Sequence, residues 1–533
     1  MNFKRLLKPI LVILAILILT LSVSAGDLFG TYDKRIKITI DHTKIDADLS
    51  WFPVTVFLGN YGDAIDVGAE AIDRDDFTGV GYTLVNKTNP ANASGKITSV
   101  EIYANTNMTG VIVATFYRPN PTGQPDYLVA RDSYEIGSVT AGSKQTFTVE
   151  LDVEAGDYLG IYFSAGSIER ISSGDDIWRL SDNHTETTGE SFNLHSGLDI
   201  ALYATGFTIN GAEVFDEFDA DEDFDRIAFT SSDGETQLYA DCELFDVSES
   251  KAIYHVSKTG WTVSSSTDTD IYLYYDKDAP HNTTYISKSG GTAAQSVWDS
   301  NFKAVYHMQD NTTSTIVDST SNNNDGTKKA SGEPVEATGK VGHGQDFDGI
   351  DDYIDIPNLS TFTAYTVEAL GKFDVIGTGT RSHLLAIKYN NDLSLRQDAN
   401  DLIIGQFTGS SWTTVQSAIS ASNWYHAVGT WDGSNIELFV DGISKGTTAA
   451  AAISGSSRED GIGSDEESTP GLGQGRMDGI IDEVRISSTN RSAAWIAATY
   501  DSLWDTLLTY GAEETGGSEP ESSSNIFFIF SNF

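Results

Sequence analysis

The chain has 533 residues, a formal charge of -44 and 39% hydrophobic residues. That length exceeds one ordinary domain, and that apolar content builds real cores, so a disordered chain is excluded. The charge repels phosphate backbones and anionic lipid surfaces, which argues against nucleic acid as a partner and against any membrane contact beyond the N-terminal segment.

Lys4, Arg5 and Lys8 precede an apolar run at 10–21, and Val23-Ser24-Ala25 offers small residues for cleavage. This is the pattern of a secretory signal peptide, with an uncleaved anchor as the alternative. A secreted, extracellular or cell-surface location follows. The single cysteine, Cys242, forbids an intramolecular disulfide. Its neighbours Leu238, Ala240 and Leu244 make it a buried core thiol rather than a nucleophile.

Arg35-Ile36-Lys37-Ile38-Thr39-Ile40 alternates strictly, which predicts a half-buried strand, and 51–58 is a second candidate. Between about 63 and 204 a separate set of strands is expected at 97–103, 111–117, 146–151 and 158–163, punctuated by Gly, Asn, Asp and Pro. The acidic stretch 213–225, with Asp219, Asp221, Asp223 and Asp225 alternating, reads as a calcium-binding loop or as a solvated acidic loop. Strands resume at 226–230, 237–245, 252–256 and 270–275.

Further on, Asp432-Gly433 and Asp441-Gly442 are hairpin turns flanking the alternating Ile436, Leu438 and Val440. A short helix is expected at 492–500, anchored by Trp495 and Ile496. After a polar linker at 516–525, Ile526-Phe527-Phe528-Ile529-Phe530 forms a sticky strand able to add to a neighbour's sheet edge. Docking onto its own domain and a truncated reading frame are the alternatives.

Tyr32-Asp33-Lys34-Arg35 with Trp51-Phe52-Pro53-Val54, then Phe224-Asp225-Arg226-Ile227-Ala228-Phe229-Thr230, Ala252-Ile253-Tyr254-His255-Val256 and Ile271-Tyr272-Leu273-Tyr274-Tyr275, resemble one family. It is an uncharacterised extracellular β domain often found directly before LamG-like domains. Tyr306-His307-Met308, Phe347-Asp348-Gly349-Ile350-Asp351-Asp352-Tyr353-Ile354, Trp424-Tyr425-His426-Ala427-Val428, Leu438-Phe439-Val440-Asp441-Gly442 and Gly479-Ile480-Ile481-Asp482-Glu483-Val484-Arg485-Ile486 follow. In order and spacing these resemble the LamG-like, concanavalin A-type lectin/glucanase jelly roll.

The expected fold is therefore an all-β, multi-domain β-sandwich and jelly-roll protein. Its parts are a signal peptide at 1–25, a split β-sandwich at 26–62 plus 205–295, an inserted β-sandwich at 63–204, the jelly roll at 296–515 and a linker with tail at 516–533.

The resemblance implies a structural Ca2+ held by loop carbonyls and a carboxylate, which maps to Asp318, Asn324 and Asp482. Asp348 could instead fix its turn through a side-chain hydrogen bond. Trp412, after Gly409-Ser410-Ser411, is the aromatic best placed to be exposed to a ligand, whereas Trp424 and Trp431 read as core. Glycoside hydrolysis needs two carboxylates about 5 to 9.5 Å apart. The alternating acids of laminarinase-type enzymes are not found at 296–512, and Asp482 and Glu483, being consecutive on a strand, are expected to face opposite ways. His255, His307 and His426 sit inside strand patterns and read as core or rim residues.

The expected function is thus non-enzymatic adhesion or recognition of a glycan or surface protein, stabilised by calcium. The alternatives are a structural component of an extracellular layer, filament or particle formed by self-association, and, third, a glycan hydrolase.

Overall fold

The computed structural model describes residues 28–516 except 60–63, 187–188, 209, 311–313, 330–332, 360–361, 378, 388–392, 408–410, 453–459 and 465–474. The expected signal peptide and the apolar tail at 526–533 lie outside the described residues. Strands dominate throughout, and among the described residues no helix is long and apolar enough to cross a membrane. The chain forms two compact units: Leu58–Ala212, and the remainder made of Met1–Phe57 with Glu213–Phe533. The inserted unit is thus a few residues wider at each end than the 63–204 expected from sequence.

Strand β1 (Lys34–Ile40) shows why the alternating pattern folds as it does: Ile36, Ile38 and Ile40 are fully buried while the residues between them are not. Strand β2 (Val54–Gly59) follows and is buried throughout. The inserted unit is organised by the 23-residue strand β3 (Gly95–Tyr117). Its second half pairs with β4 (Tyr127–Val139) and its first half with β5 (Lys144–Val153). Register shifts along β3 let one strand serve both neighbours, as bulges do where strands bend. Ile65, Val100, Ile102, Leu151 and Ile161 fill its core.

In the larger unit, β6 (Tyr239–Asp246), β7 (Lys251–Ser257) and β8 (Thr269–Tyr275) complete two four-stranded sheets. In one sheet β8 lies between Ile227–Ser231 and β1; in the other β6 and β7 lie between Ile286–Lys288 and β2. The jelly roll consists of two eight-stranded sheets. One contains β9 (Phe302–Tyr306), β10 (Tyr365–Phe373), β12 (Trp424–Trp431) and β13 (Asp478–Ser487), while β11 (Trp412–Ala418) is the last strand of the other. Tyr306, Phe347, Val367, Leu385, Trp431 and Ile486 lie in the core between them.

Helix α1 (Ala493–Leu503) begins at Ser492, whose hydroxyl accepts a hydrogen bond from the Trp495 amide at 3.2 Å. Ile496 packs on Val428 and Phe439 of the jelly roll. The last strand, β14 (Leu508–Thr515), does not stay with the jelly roll, to which its sequence position assigns it. It runs antiparallel beside β1, with Leu508 opposite Ile40 and Thr515 opposite Lys34. The open edge of β1 supplies backbone partners, and Tyr510 donates its hydroxyl to the Phe57 carbonyl at 2.7 Å.

Candidate functional site

The jelly roll carries a polar cleft of about 520 Å3 whose walls include Thr380, Arg381, Ser382, Asp398, Arg476 and Asp478. Arg381 forks onto one oxygen of Asp398 at 3.0 and 2.7 Å. Arg476 is positioned by its neighbours: its guanidinium sits 4.6 Å from the centre of the Tyr353 ring and donates to the Asp351 carbonyl at 3.1 Å. That carbonyl belongs to a tight turn in which Asp348 accepts from the Ile350 amide at 2.8 Å and Gly349 adopts φ 73°. Ligand atoms of Asp348, Asp351 and Asp352 lie within 4.8 Å of one another. One oxygen of Asp352 accepts from the Asp348 amide at 3.0 Å, and the other is buried without a hydrogen-bond partner.

The residues singled out for calcium are not in that turn. Asp318 is buried, and its carboxylate accepts from the amides of Val305 (3.0 Å), Thr320 (2.9 Å) and Asn324 (2.8 Å) and from the Thr320 hydroxyl (2.9 Å). Four donors fill its lone pairs, so the side chain acts as the organiser of its own loop. Asn324 donates its side-chain amide to the Lys303 carbonyl at 2.8 Å. Asp482, fully buried on β13, accepts from the Lys340 and Val341 amides at 2.9 and 2.8 Å. Trp412 opens β11 and is 46% exposed. It rests against Phe407, with ring centres 5.4 Å apart, and the Arg396 guanidinium stands 4.9 Å from its ring centre. It is not among the residues lining the cleft.

The structure also assembles a group of side chains read from sequence as strand interior. Glu243 on β6, His255 on β7, His307 directly after β9 and Glu483 on β13 each direct one ligand atom inward, all within 4.8 Å of one another and all buried. His255 Nε2 lies 2.8 Å from Glu243 Oε2 and 4.0 Å from Glu483 Oε1. His307 Nδ1 is hydrogen-bonded to Glu483 and lies 3.6 Å from Glu243 Oε2. The two imidazoles stack, with centres 4.4 Å apart and planes 10° apart.

Both glutamates are aimed by irregular backbone. The pairing of β6 with β7 shifts register between Cys242 and Leu244, and that of β10 with β13 shifts opposite Glu483, which takes φ 46°. The bulge breaks the alternation expected for Asp482 and Glu483, so both are buried, one against the 340–341 amides and one against His307.

A surrounding layer holds these groups. His307 Nε2 faces Asp241 at 3.1 Å, and Asp241 also accepts from Trp298 Nε1 at 3.0 Å and Ser289 at 2.9 Å. His255 Nδ1 meets the Thr55 hydroxyl at 3.1 Å. Glu483 accepts from Arg485 Nε at 2.9 Å. Burial, and after it Glu483, pushes the Glu243 carboxyl well above the ordinary carboxylate range. For Glu483 burial also opposes ionisation, but His307 and Arg485 outweigh it and hold the carboxyl well below that range. Burial works against a proton on His307, yet Glu483 and Asp241 raise it well above the usual imidazole value. His255 is lowered to about 3 by burial and then by His307. Beside this group a cavity of about 420 Å3 is lined by Glu243 and His307 together with Lys288, Gln309 and His343. Cys242 is buried on β6, and burial pushes its thiol up, away from reactivity.

Several solved structures are similar to part of the chain. Domain 4 of AbnA, a GH43 extracellular arabinanase from Geobacillus stearothermophilus in complex with arabinotriose, is 20% identical over 39% of this chain and 98% of its own length, with a TM-score of 0.32. The binding domain of Paraclostridial Mosquitocidal Protein 1 is 10% identical over 38% of this chain and 52% of that one, with a TM-score of 0.32. The botulinum neurotoxin serotype D binding domain is 12% identical over 39% and 52%, with a TM-score of 0.31. The chain thus spans about half the length of these two toxin domains. No curated protein sequence matches the chain. Residues 348–497 match the family model of the concanavalin A-like lectin/glucanases superfamily, a stretch that lies within the two eight-stranded sheets of the C-terminal side.

Proposed function

We propose that the protein is a secreted or cell-surface recognition protein, without catalytic activity, that binds a glycan in the cleft of its jelly roll. The observation that carries this reading is the cleft itself, set within the region that matches the lectin/glucanase superfamily. Thr380, Ser382, Asp398, Asp478, Arg381 and Arg476 are among the residues that line it. A recess offering donors and acceptors of both signs suits a hydroxyl-rich ligand, which needs many directional hydrogen bonds and little apolar surface. Calcium enters the proposal through the Asp348–Asp352 turn. There three carboxylates converge, one buried oxygen of Asp352 has no hydrogen-bond partner, and the Asp351 carbonyl holds Arg476 in the cleft wall.

The test is a glycan array probed with the full chain, in calcium and again in chelator, beside the Arg476→Ala variant. Saturable binding to one sugar class that weakens in chelator and in the variant is the expected result. A blank array from folded protein would overturn the glycan reading in favour of a protein partner or self-association. Release of sugar products from a bound glycan would overturn the non-enzymatic one.

A further inference from the structure

Glu243, His255, His307 and Glu483 meet where the N-terminal sheet of β6 and β7 faces the jelly-roll strands β9 and β13. Two ligands come from each side. We propose that these four side chains form a closed, four-coordinate site for a divalent transition-metal ion of the zinc class, which clamps the N-terminal sandwich to the jelly roll.

Three observations carry the assignment. The first is donor chemistry. Two imidazole nitrogens and two carboxylate oxygens are a familiar set for zinc, whereas calcium takes six to eight oxygens. Bonds of about 2.0 to 2.2 Å in a tetrahedron put ligand atoms roughly 3.3 to 3.5 Å apart. Three of the four nitrogen–oxygen separations within the cluster, 2.8, 3.6 and 4.0 Å, straddle that spacing, while His307 and Glu483 stand closer, as a hydrogen-bonded pair that an ion would spread apart.

The second is the surrounding layer. The remaining nitrogen of His307 faces Asp241, itself fixed by Trp298 and Ser289, and the remaining nitrogen of His255 faces Thr55. A ligating histidine needs such a partner on its other nitrogen to set tautomer and ring orientation. Arg485 does the equivalent for Glu483.

The third is the crowding of acids. Among the described residues, Asp241, Glu243, Asp482 and Glu483 are buried close together, with Glu243 Oε2 against both imidazoles. Burying so many carboxyl groups together is costly unless protons or a cation balance them. A dication held by Glu243 Oε2, Glu483 and the two imidazoles supplies that balance. A cavity lined in part by Glu243 and His307 lies directly beside the cluster. Its physical role follows from the sequence: a chain with one cysteine has no internal disulfide to tie distant segments together, and a metal joining residues 243, 255, 307 and 483 does so instead.

The proposal is tested on the full chain purified from zinc-supplemented medium and dialysed. Elemental analysis should find about one zinc ion per chain, and chelation should lower the melting temperature, which zinc alone restores. Cobalt(II) added to chelated protein should give the intense visible absorption of a tetrahedral site. Asp241→Asn, which keeps all four ligands, should weaken zinc binding about 10- to 100-fold. His307→Ala should abolish it, and Asp352→Asn, in the turn beside the cleft, should leave it unchanged. Folded wild-type protein that retains no zinc and gives no such cobalt spectrum overturns the proposal, whether or not the variants fold. So does full zinc retention in a folded His255→Ala, His307→Ala double variant.

Discussion

The ring of Trp495 on α1 meets Phe52 edge to face, with centres 5.0 Å apart and planes 82° apart. Phe52 lies just before β2 and is fully buried, so this contact joins the beginning of the N-terminal sandwich to the helix that closes the jelly roll. The same helix reinforces the joint through Ser502, whose hydroxyl accepts from the Thr55 amide at 2.8 Å. Removing a buried indole leaves a cavity that the rigid sheets around it cannot close. Trp495→Ala should therefore cost about 3 to 5 kcal/mol. Urea unfolding of the variant should show the N-terminal sandwich and the jelly roll losing stability together. Loss in one of them alone would show that the two do not unfold as one body.

A buried ion pair within the jelly roll lies close by. Arg491 forks onto Asp299 at 2.6 and 2.9 Å, with its guanidinium 4.4 Å from the Phe302 ring centre and 4.3 Å from that of Trp495. Both side chains are less than a tenth exposed. Deleting one partner of a buried pair strands the other charge, so Asp299→Ala should cost about 3 to 5 kcal/mol. Pairing it with Arg491→Met should recover much of that loss, because methionine can occupy the aromatic slot without a charge. Chemical denaturation of the two single variants and the double variant gives the coupling directly, and strict additivity would refute the argument.

Acid should weaken the jelly roll through His383. This side chain is buried on the Arg381–Ile387 strand, with Nδ1 2.9 Å from the Gly475 carbonyl. Burial is the main cause that lowers its pKa to about 3. The folded protein therefore stays unprotonated at this position while the unfolded chain takes up a proton near pH 6.5. Stability from this group is intact above about pH 6.5 and is lost progressively as pH falls toward 3. His383→Gln, which can still donate to the carbonyl, should show a shallower decline in urea midpoint between pH 7 and pH 4.5 than the wild type. Parallel declines would exclude His383 as a source of acid sensitivity.

The fold class was legible because it rests on local pattern. Arg35 to Ile40 alternates, and the buried isoleucines are the alternating ones; Ser492 caps the helix that Trp495 and Ile496 anchor. The destination of β14 was not legible. Leu508, Thr509 and Tyr510 suit any half-exposed edge, and only the open side of β1 selects one. The exposure of Trp412 followed from the polar residues before it.

The buried cluster escaped because its members are scattered across the sequence and because two of them depend on bulges. A period of two places Glu483 opposite to Asp482, whereas the left-handed backbone at Glu483 turns it inward. A trace was present nonetheless. Asp241 and Glu243 flank Cys242 in the buried stretch 240–243, and the residues on either side of His255 and of His307 are buried. Charge in a strand buried on both faces is costly unless it is paired, and that cost marks a site.

The inserted unit should be separable. Its ends meet where the Gly59 amide donates to the Asn210 carbonyl at 2.7 Å, and its core is drawn entirely from residues between 65 and 204. A segment with its own core and adjacent termini folds alone. Residues 58–212 expressed by themselves should give a β-type circular dichroism spectrum and a single cooperative unfolding transition. Gly206 provides the internal control. A Cβ added there would lie 1.9 Å from the Lys96 carbonyl oxygen, so two strands must move apart to admit it. Gly206→Ala should cost the inserted unit about 1 to 3 kcal/mol while leaving unfolding of the larger unit, followed through its own tryptophans, where it was. If the substitution lowered both transitions equally, or if the excised segment stayed unfolded, the inserted unit would have to draw part of its stability from the rest of the chain.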